Sequence, residues 1–259
     1  MRAKKSYGQH FLTNEHYARQ IAEALRLTDQ YRNVLEVGPG QGMLTKHLLD
    51  RADAFTLRVA EADNDMVDYL RAHYPTLNDR IHAGDFLRLD LRRVFDGAPF
   101  GLVGNFPYNI SSQILIKLLD NHTLIPEMVG MFQKEVADRV IIGHGSKVYG
   151  VIGVLVQARY VPQLLFNVSK GNFAPPPKVE SAVIRLVRRP EPLIPDADYG
   201  MFKHVVKAAF GQRRKMLRNS LKSVFDADAL AGEEIFSRRP EQVSVEEFVA
   251  LARRAAAAN

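Results

Sequence analysis

One stretch of the chain decides its fold class: Val34-Leu35-Glu36-Val37-Gly38-Pro39-Gly40-Gln41-Gly42. The pattern of a buried strand runs directly into a glycine-rich turn, and the helical pattern Met43–Arg51 follows it. Glycine lets the backbone approach a ligand closely, and the N-terminus of the next helix offers free N–H donors. The motif serves dinucleotides and phosphates and also occurs as a plain tight turn, so it needs support from elsewhere in the chain.

Apolar runs of strand length alternate with helical patterns along most of the chain. The strand candidates are Asn33–Val37, Phe55–Ala60, Arg80–Ala83, Phe100–Gly104, Met128–Phe132, Tyr160–Val168 and Ser181–Val187. The helical patterns are Met43–Arg51, Asn64–His73, Ser111–Asp120, Gln133–Ile142 and, assigned on its length alone, Val148–Ala158. Such alternation predicts an α/β fold with a mostly parallel sheet and helices on both faces.

The composition changes near residue 189. Arg189–Pro195 contains three prolines, which block helix and ladder pairing, so we predict a linker there. Four helical patterns follow: Asp198–Phe210, Gln212–Phe225, Ala227–Phe236 and Ser244–Ala258. Ser244 and Glu247 have the spacing of a capping box. The sequence therefore predicts two domains, residues 1–189 and a small all-helical domain of residues 196–259.

The composition is that of a soluble globular protein. Of 259 residues, 46% are hydrophobic and 25% charged, and cysteine is absent, which excludes disulfides, a thiol nucleophile and cysteine-built metal sites. No apolar stretch approaches the ~20 residues that span a bilayer, and no apolar core follows the charged N-terminus, so we expect a cytoplasmic protein. The net charge of +6 permits a nucleic-acid partner without demanding one.

Two acidic residues support a nucleotide site at the glycine turn. Glu61 ends the second strand about twenty residues further on, where a carboxylate can accept both hydroxyls of a ribose, and Asp85 follows the third strand. With Gly38 and Gly40, they outline a nucleoside pocket at one edge of the sheet. This order of glycine turn, ribose acid and adenine-side acid is typical of class I S-adenosylmethionine methyltransferases. A nicotinamide dehydrogenase would more often carry a third loop glycine further along.

The tetrapeptide Asn105-Phe106-Pro107-Tyr108 follows the fourth strand and is suited to methylation of an adenine amine. That amine is a poor nucleophile, because its lone pair is delocalised into the ring. The Asn105 side-chain oxygen and the Phe106 carbonyl can accept its two N–H bonds and favour a more tetrahedral nitrogen. Pro107 fixes the turn, and Tyr108 can stack on the base. Transfer is then an in-line displacement aided by positioning and hydrogen bonds.

A basic segment in the C-terminal region is the candidate nucleic-acid surface. Residues 203–222 contain seven cationic residues and no acidic one. Arg214, Arg218 and Lys222 recur at helical spacing, while Leu217, Leu221 and Val224 mark an apolar face. We therefore predict a helix that presents a basic stripe to phosphates. The predicted RNA-binding residues are Arg213, Arg214, Lys215, Arg218 and Lys222.

Several motifs together make the chain resemble a known family. They are Gly8-Gln9-His10-Phe11-Leu12, Glu36-Val37-Gly38-Pro39-Gly40, Gly104-Asn105-Phe106-Pro107-Tyr108-Asn109-Ile110-Ser111, Gln133-Lys134-Glu135-Val136, the proline-rich Phe173–Val183 and Phe210-Gly211-Gln212-Arg213-Arg214-Lys215. From residue 4 to about residue 225, the chain resembles the KsgA/RsmA family of bacterial small-subunit rRNA adenine N6,N6-dimethyltransferases.

The resemblance implies a fold, a reaction and partners. The fold is a Rossmann-like sheet of seven strands, the last of them antiparallel, with a C-terminal helical domain. The reaction is the transfer of four methyl groups from S-adenosylmethionine, two onto each of two adjacent adenosines near the 3′ end of 16S rRNA. The implied partner is 16S rRNA in the 30S subunit or its precursor during ribosome biogenesis. We expect a monomer that needs no metal.

The resemblance also assigns site residues. The cofactor-binding positions carry over to His10, Leu12, Gly38, Glu61, Asp85 and Asn105, and the Gly8–Leu12 segment would cover the cofactor. His10 stands where some relatives have asparagine, so we expect a backbone or shape contact there. Phe173 would stack on a flipped-out adenine opposite Tyr108, held rigid by the prolines that follow it.

Three other functions stay open at this stage. A 23S rRNA adenine methyltransferase of the antibiotic-resistance type shares the Asn-x-Pro-Tyr core. A DNA adenine methyltransferase is disfavoured, because those enzymes usually carry Pro-Pro before the aromatic residue and have a separate base-reading domain. A non-catalytic ribosome-assembly factor on the same scaffold is disfavoured by the intact glycine turn, Glu61 and Asn105.

Overall fold

A computed structural model describes residues 9–257 of the chain. The strands are β1 (Phe11–Leu12), β2 (Asn33–Val37), β3 (Thr56–Glu61), β4 (Ile81–Ala83), β5 (Gly101–Asn105), β6 (Glu127–Gln133), β7 (Tyr160–Val168), β8 (Phe173–Ala174) and β9 (Ser181–Arg188). The α-helices are α1 (Glu15–Glu23), α2 (Thr45–Leu49), α3 (Asn64–His73), α4 (Leu91–Val94), α5 (Ser111–Asp120), α6 (Lys134–Ile141), α7 (Val151–Arg159), α8 (Tyr199–Gly211), α9 (Leu217–Ser220), α10 (Ala227–Gly232) and α11 (Val245–Ala257).

The main sheet has seven strands in the order β4-β3-β2-β5-β6-β9-β7. Strands β2 to β6 run parallel to one another, and β9 runs antiparallel to β6. The chain builds outward from β2 to β4 and then returns to β5 on the other side of β2. That reversal leaves a crevice at the carboxyl ends of β2 and β5, the place where open α/β sheets bind ligands. The predicted Rossmann-like α/β fold is confirmed.

Most elements lie where the hydrophobic pattern predicts them. Helix α3 begins where the Asp63 side chain accepts the N–H of Asp65, which satisfies a free donor of the first turn. The run after residue 150 is helical, as its length predicts. At α11 the predicted capping box is present: Ser244 Oγ accepts the N–H of Glu247 at 3.2 Å, and the Glu247 carboxylate accepts the N–H of Ser244 at 2.7 Å.

The prediction of one helix over Gln212–Phe225 is wrong. Helix α8 ends at Gly211, and only the single turn α9 is helical in that range. Met216 is extended, and the N–H of Leu217 donates to the carbonyl of Arg238 at 2.8 Å instead of to a carbonyl one turn earlier. This distant bond replaces the local helical one. The predicted helix Ala227–Phe236 likewise ends early, at Gly232.

The chain divides into two compact units. One contains the residues as far as Ala137 together with Gln163–Arg188, and the other contains Asp138–Pro162 and the residues from Arg189 onward. The second unit therefore includes α7 as well as the C-terminal helices. The sequence-based division into residues 1–189 and 196–259 stays a prediction about domains.

A buried carboxylate joins three parts of the first unit. Glu127 begins β6 and is completely buried. Its oxygens accept the Tyr31 hydroxyl at 2.6 Å and the backbone N–H groups of Arg26 and Leu27, each at 3.0 Å. The Arg185 guanidinium on β9 completes the group. Burial, together with the charge of Glu127, raises the pKa of Tyr31, so the phenol remains a donor.

Candidate active site

A cavity of about 270 Å³ lies at the carboxyl ends of the parallel strands. In the order of the sheet, Asp85 follows β4, Glu61 ends β3, Gly38 follows β2 and Asn105 ends β5, and all four line the cavity. Tyr108 lines it beyond Asn105. The structure thus brings together the glycine turn, both acids and the tetrapeptide, as the sheet topology predicts.

The glycine turn leaves no room for a side chain at Gly40. Gly40 has φ +55°, and a Cβ there would lie 2.8 Å from the Phe11 ring. Glu36, at the end of β2, is buried and accepts the Thr45 hydroxyl at 2.7 Å, which ties the strand to the start of α2. Burial raises the pKa of Glu36 to about 8. The turn is therefore anchored on both sides of its glycines.

The Glu61 carboxylate is held in one orientation by the backbone. One oxygen accepts the N–H of Gly40 at 3.1 Å, and the other accepts the N–H of Asp63 at 2.9 Å. Burial raises the pKa of Glu61, while these two N–H groups oppose the rise. Each carboxylate oxygen has further acceptor capacity. Glu61 can therefore receive neighbouring hydroxyls of a ligand without reorienting.

Asp85 caps a single turn of 3₁₀ helix, Phe86–Arg88, that forms the next part of the wall. Its Oδ1 accepts the N–H of Leu87 at 2.9 Å. Asp85 is exposed, Phe86 is buried, and both line the cavity together with Leu87. An acceptor beside an apolar wall suits a flat heteroaromatic ring that carries an amino group.

The Asn105 side chain is oriented by the N-terminal segment. Its Nδ2 donates to the backbone carbonyl of His10 at 2.9 Å, which leaves Oδ1 as the free acceptor. The next residue, Phe106, donates its N–H to the Met131 carbonyl at 3.2 Å, and its side chain is buried against Phe132. A Cβ at Gly130 would overlap the Phe106 ring, so this glycine makes room for it.

Both the hydroxyl and the ring of Tyr108 contact neighbouring side chains. Its hydroxyl lies 2.5 Å from Ser181 Oγ, and its ring centroid lies 5.3 Å from that of His10. Burial raises the pKa of Tyr108, with the Ser181 hydrogen bond acting in the opposite sense. The ring is therefore positioned before any base arrives.

The N-terminal segment is tied down at several points. Gln9 Nε2 donates to Asp63 Oδ2 at 3.0 Å, and His10 Nδ1 lies 2.9 Å from the carbonyl oxygen of Pro175. Strand β1 pairs with β8 in a separate two-stranded sheet. Gln9, His10 and Phe11 line the cavity, whereas Gly8 of the predicted covering segment lies outside the described residues.

Two predicted site residues are not on the wall of this cavity. Leu12 is 5% exposed and belongs to the hydrophobic core, although it lines a neighbouring cavity of about 230 Å³. Phe173 is 4% exposed, lies opposite Leu12 in the β1–β8 pair and packs into the same core. The assignment of Phe173 as the base-stacking partner of Tyr108 stays a prediction.

The predicted basic stripe does not exist as one face of a helix, because the residues from Gln212 to Met216 are not helical. Arg214, Lys215, Arg218 and Lys222 are exposed. Arg213 is only half-exposed, and its guanidinium donates to the carbonyl of Lys147 within the second unit. Arg213 therefore has a backbone partner, and the other four cationic side chains are exposed to solvent.

Sequence reasoning missed several residues that shape the site. Gln9 fastens the N-terminal segment to Asp63, and Ser181 fixes the Tyr108 hydroxyl. Lys117 contacts the loop that carries Asp85. Gln9 and Ser181 lie within the motifs quoted above, and that position could have marked them as site residues. No pattern in the sequence indicated the residues that they contact.

The described residues contain neither a membrane-spanning helix nor a cluster of metal ligands. Between residues 9 and 257, no helix combines the length and apolar character needed to cross a bilayer. In the same range, no group of three or more histidine, aspartate or glutamate side chains is arranged to hold a metal ion.

Comparison with known proteins gives consistent relatives. The family model described as "Ribosomal RNA adenine dimethylase" matches residues 1–254. A "Ribosomal RNA small subunit methyltransferase A" of Flavobacterium johnsoniae is 49% identical over 251 residues, covering 97% of this chain and 95% of its own length. The protein of the same name from Bacteroides thetaiotaomicron is 49% identical over 252 residues, covering 97% and 93%.

Solved structures share the fold. A dimethyladenosine transferase from Plasmodium falciparum aligns with a TM-score of 0.78 at 23% identity, covering 93% of this chain and 96% of that one. The 23S rRNA methyltransferase ErmE aligns with a TM-score of 0.69 at 28% identity, covering 95% and 99%. With a family model that spans nearly the whole chain and relatives at about half identity, the chain belongs to the ribosomal RNA adenine dimethylase family.

Proposed function

We propose that the protein transfers methyl groups from S-adenosylmethionine to the N6 amino groups of two adjacent adenosines near the 3′ end of 16S rRNA, during ribosome biogenesis. One observation carries the proposal. The bond from Asn105 Nδ2 to His10 leaves the Asn105 oxygen, next to the Phe106 carbonyl, as a free acceptor at the cavity that holds Glu61 and Asp85.

The residues present fit the cofactor. Asp85 and the wall beside it would hold the adenine, and the oriented Glu61 carboxylate would accept the ribose hydroxyls. Gly38 and the backbone of the N-terminal segment would face the remaining part. When bound, S-adenosylmethionine supplies an electrophilic methyl group on its sulfonium sulfur.

The chain's own residues prepare the target amine. The Asn105 oxygen and the Phe106 carbonyl accept its two N–H bonds and favour the tetrahedral, nucleophilic nitrogen. Tyr108, held by Ser181, offers one face for stacking against the base. No base is required before transfer, because the nitrogen becomes acidic only once it is alkylated. The enzyme therefore acts by positioning.

The small-subunit assignment rests on the relatives. The proteins that are 49% identical carry a small-subunit name, whereas the likeness to the 23S rRNA enzyme ErmE is 28%. Action on the 30S subunit or its precursor, a monomeric state, independence from metal and a cytoplasmic location are parts of the same proposal.

Methyl transfer to three substrates in parallel tests the assignment. Labelled S-adenosylmethionine is given with undermethylated 30S subunits, with 50S subunits and with duplex DNA. We expect label in 30S rRNA alone. Label in 50S rRNA would instead support the antibiotic-resistance type of enzyme. Cofactor binding without any transfer would support a non-catalytic assembly factor.

We expect the variant Glu61→Ala to bind the product S-adenosylhomocysteine about 100-fold more weakly, as measured by calorimetry. The change removes the ribose acceptor and leaves the N–H groups of Gly40 and Asp63 without their partner. The exposed Asp65, in the first turn of α3, provides the matched control Asp65→Ala. Unchanged affinity of Glu61→Ala would show that this carboxylate does not bind the ligand.

We expect the double variant Arg214→Glu and Arg218→Glu to bind 30S subunits at least about tenfold more weakly and to lower the slope of log affinity against log salt. Both side chains are exposed, so the fold should tolerate the change. Arg71→Glu with Arg80→Glu, exposed in the first unit, is the charge-matched control. Equal loss of 30S and S-adenosylhomocysteine affinity would mean that the segment has a structural role.

A further inference from the structure

We infer that Lys117 is a positioning residue for the adenine end of the cofactor site and acts through the loop that carries Asp85. The inference rests on the proposed function, since that function assigns the adenine ring to the wall formed by Asp85, Phe86 and Leu87. No motif in the sequence marks Lys117.

A single ammonium group contacts this loop at three places. Lys117 Nζ donates to the backbone carbonyl of Leu87 at 2.9 Å and to that of Leu89 at 2.7 Å. It also lies 5.4 Å from the centroid of the Phe86 ring. Lys117 is half-buried on α5, the helix that begins a few residues after Asn105. It therefore joins the helix behind the catalytic loop to the wall of the adenine site.

Lys117 is linked to Asp85 through a single residue, Leu87. The carbonyl of Leu87 accepts from Lys117, and the N–H of Leu87 donates to Asp85 Oδ1 at 2.9 Å. Leu87 is thus held from both sides, and its position sets where the Asp85 carboxylate lies. Phe86, between them in sequence, is 3% exposed and lines the cavity. Lys117 therefore positions both the acceptor and the apolar wall.

The charges around Lys117 favour this arrangement. Burial lowers the pKa of Lys117, while the carboxylates of Asp85, Asp90 and Asp120 oppose that change. Hydrogen bonds from a charged donor are roughly twice as strong as neutral ones. The ammonium consequently restrains a loop that has only short helical turns of its own.

A lysine that only stabilised the fold would make the same contacts as Lys117, so the test must report on adenine recognition. We compare the affinities for S-adenosylhomocysteine and for S-inosylhomocysteine, which lacks the adenine amino group. We expect Lys117→Met to bind S-adenosylhomocysteine about tenfold more weakly. We also expect the ratio of its affinity for S-adenosylhomocysteine to its affinity for S-inosylhomocysteine to fall towards one, because Asp85 is no longer held in place. The KM for S-adenosylmethionine should rise with little change in kcat.

Lys170→Met, at an exposed lysine that does not line the cavity, is the control for loss of one positive charge. Lys117→Gln, which keeps a hydrogen-bond donor, is the second variant if the methionine variant does not fold. We expect its ratio of affinities for the two ligands to lie between those of the unmodified protein and Lys117→Met. Equal weakening of both ligands, or no weakening, would overturn the inference. Failure of the unmodified chain to bind S-adenosylhomocysteine would overturn the proposed function itself.

Discussion

Replacing Asn105 by alanine is expected to lower kcat for methyl transfer by at least about 10²–10³, by analogy with the loss of one charge-stabilising group in other active sites. The variant loses the acceptor that holds the target amine. It also loses the donor to the His10 carbonyl, so cofactor affinity should fall as well, by about tenfold. Single-turnover transfer to 30S subunits, with the cofactor at saturation, separates these two effects.

Asn78→Ala, at an exposed asparagine away from the cavity, is the matched control and should turn over normally. Normal turnover by Asn105→Ala would contradict the role assigned to this side chain. A loss confined to cofactor affinity would mean that Asn105 serves only to hold the N-terminal segment over the ligand.

Replacing Glu127 by alanine is expected to lower the free energy of unfolding by about 3–5 kcal/mol, the range seen when one partner of a buried ion pair is removed. Arg185 would remain largely buried without its counter-charge, and the Tyr31 hydroxyl would lose its acceptor. The N–H groups of Arg26 and Leu27 would lose theirs as well. Urea unfolding followed by circular dichroism measures the change.

Glu191→Ala, at an exposed glutamate in the proline-rich linker, is the control and should unfold like the unmodified protein. A loss of stability below about 1 kcal/mol for Glu127→Ala would show that water or other groups replace the carboxylate, as they do for exposed ion pairs. The hydrogen bonds of Glu127 would then have no major part in joining β6 to the neighbouring parts of the first unit.

Local signals in the sequence were sufficient for the sheet and for the positions of the glycine turn and the two acids at one edge of it. Helix α3 and the glycine turn depend on nearby residues, as the Asp63 cap illustrates. The positions of Glu61, Asp85 and Asn105 follow from parallel strands, whose carboxyl ends must share one edge. A hydrophobic pattern of period two or 3.6 indicates directly where the strands and helices lie.

The failures all depend on contacts between residues that are distant in the sequence. The N–H of Leu217 bonds to Arg238 and thereby interrupts the helix that the spacing of Arg214 and Arg218 suggested. Likewise, Phe173 pairs with Leu12 across the β1–β8 sheet, a contact between residues far apart in the chain that no local pattern indicated. Periodicity and spacing carry no information about such partners.

The most direct test of the account is to count and place the methyl groups added to undermethylated 30S subunits at completion. Nucleoside mass spectrometry gives the product, and primer extension gives its position. We predict four methyl groups per subunit, all as N6,N6-dimethyladenosine at two adjacent adenosines near the 3′ end of 16S rRNA. Product at other positions, monomethyladenosine as the end product, or modification of 23S rRNA would contradict the account.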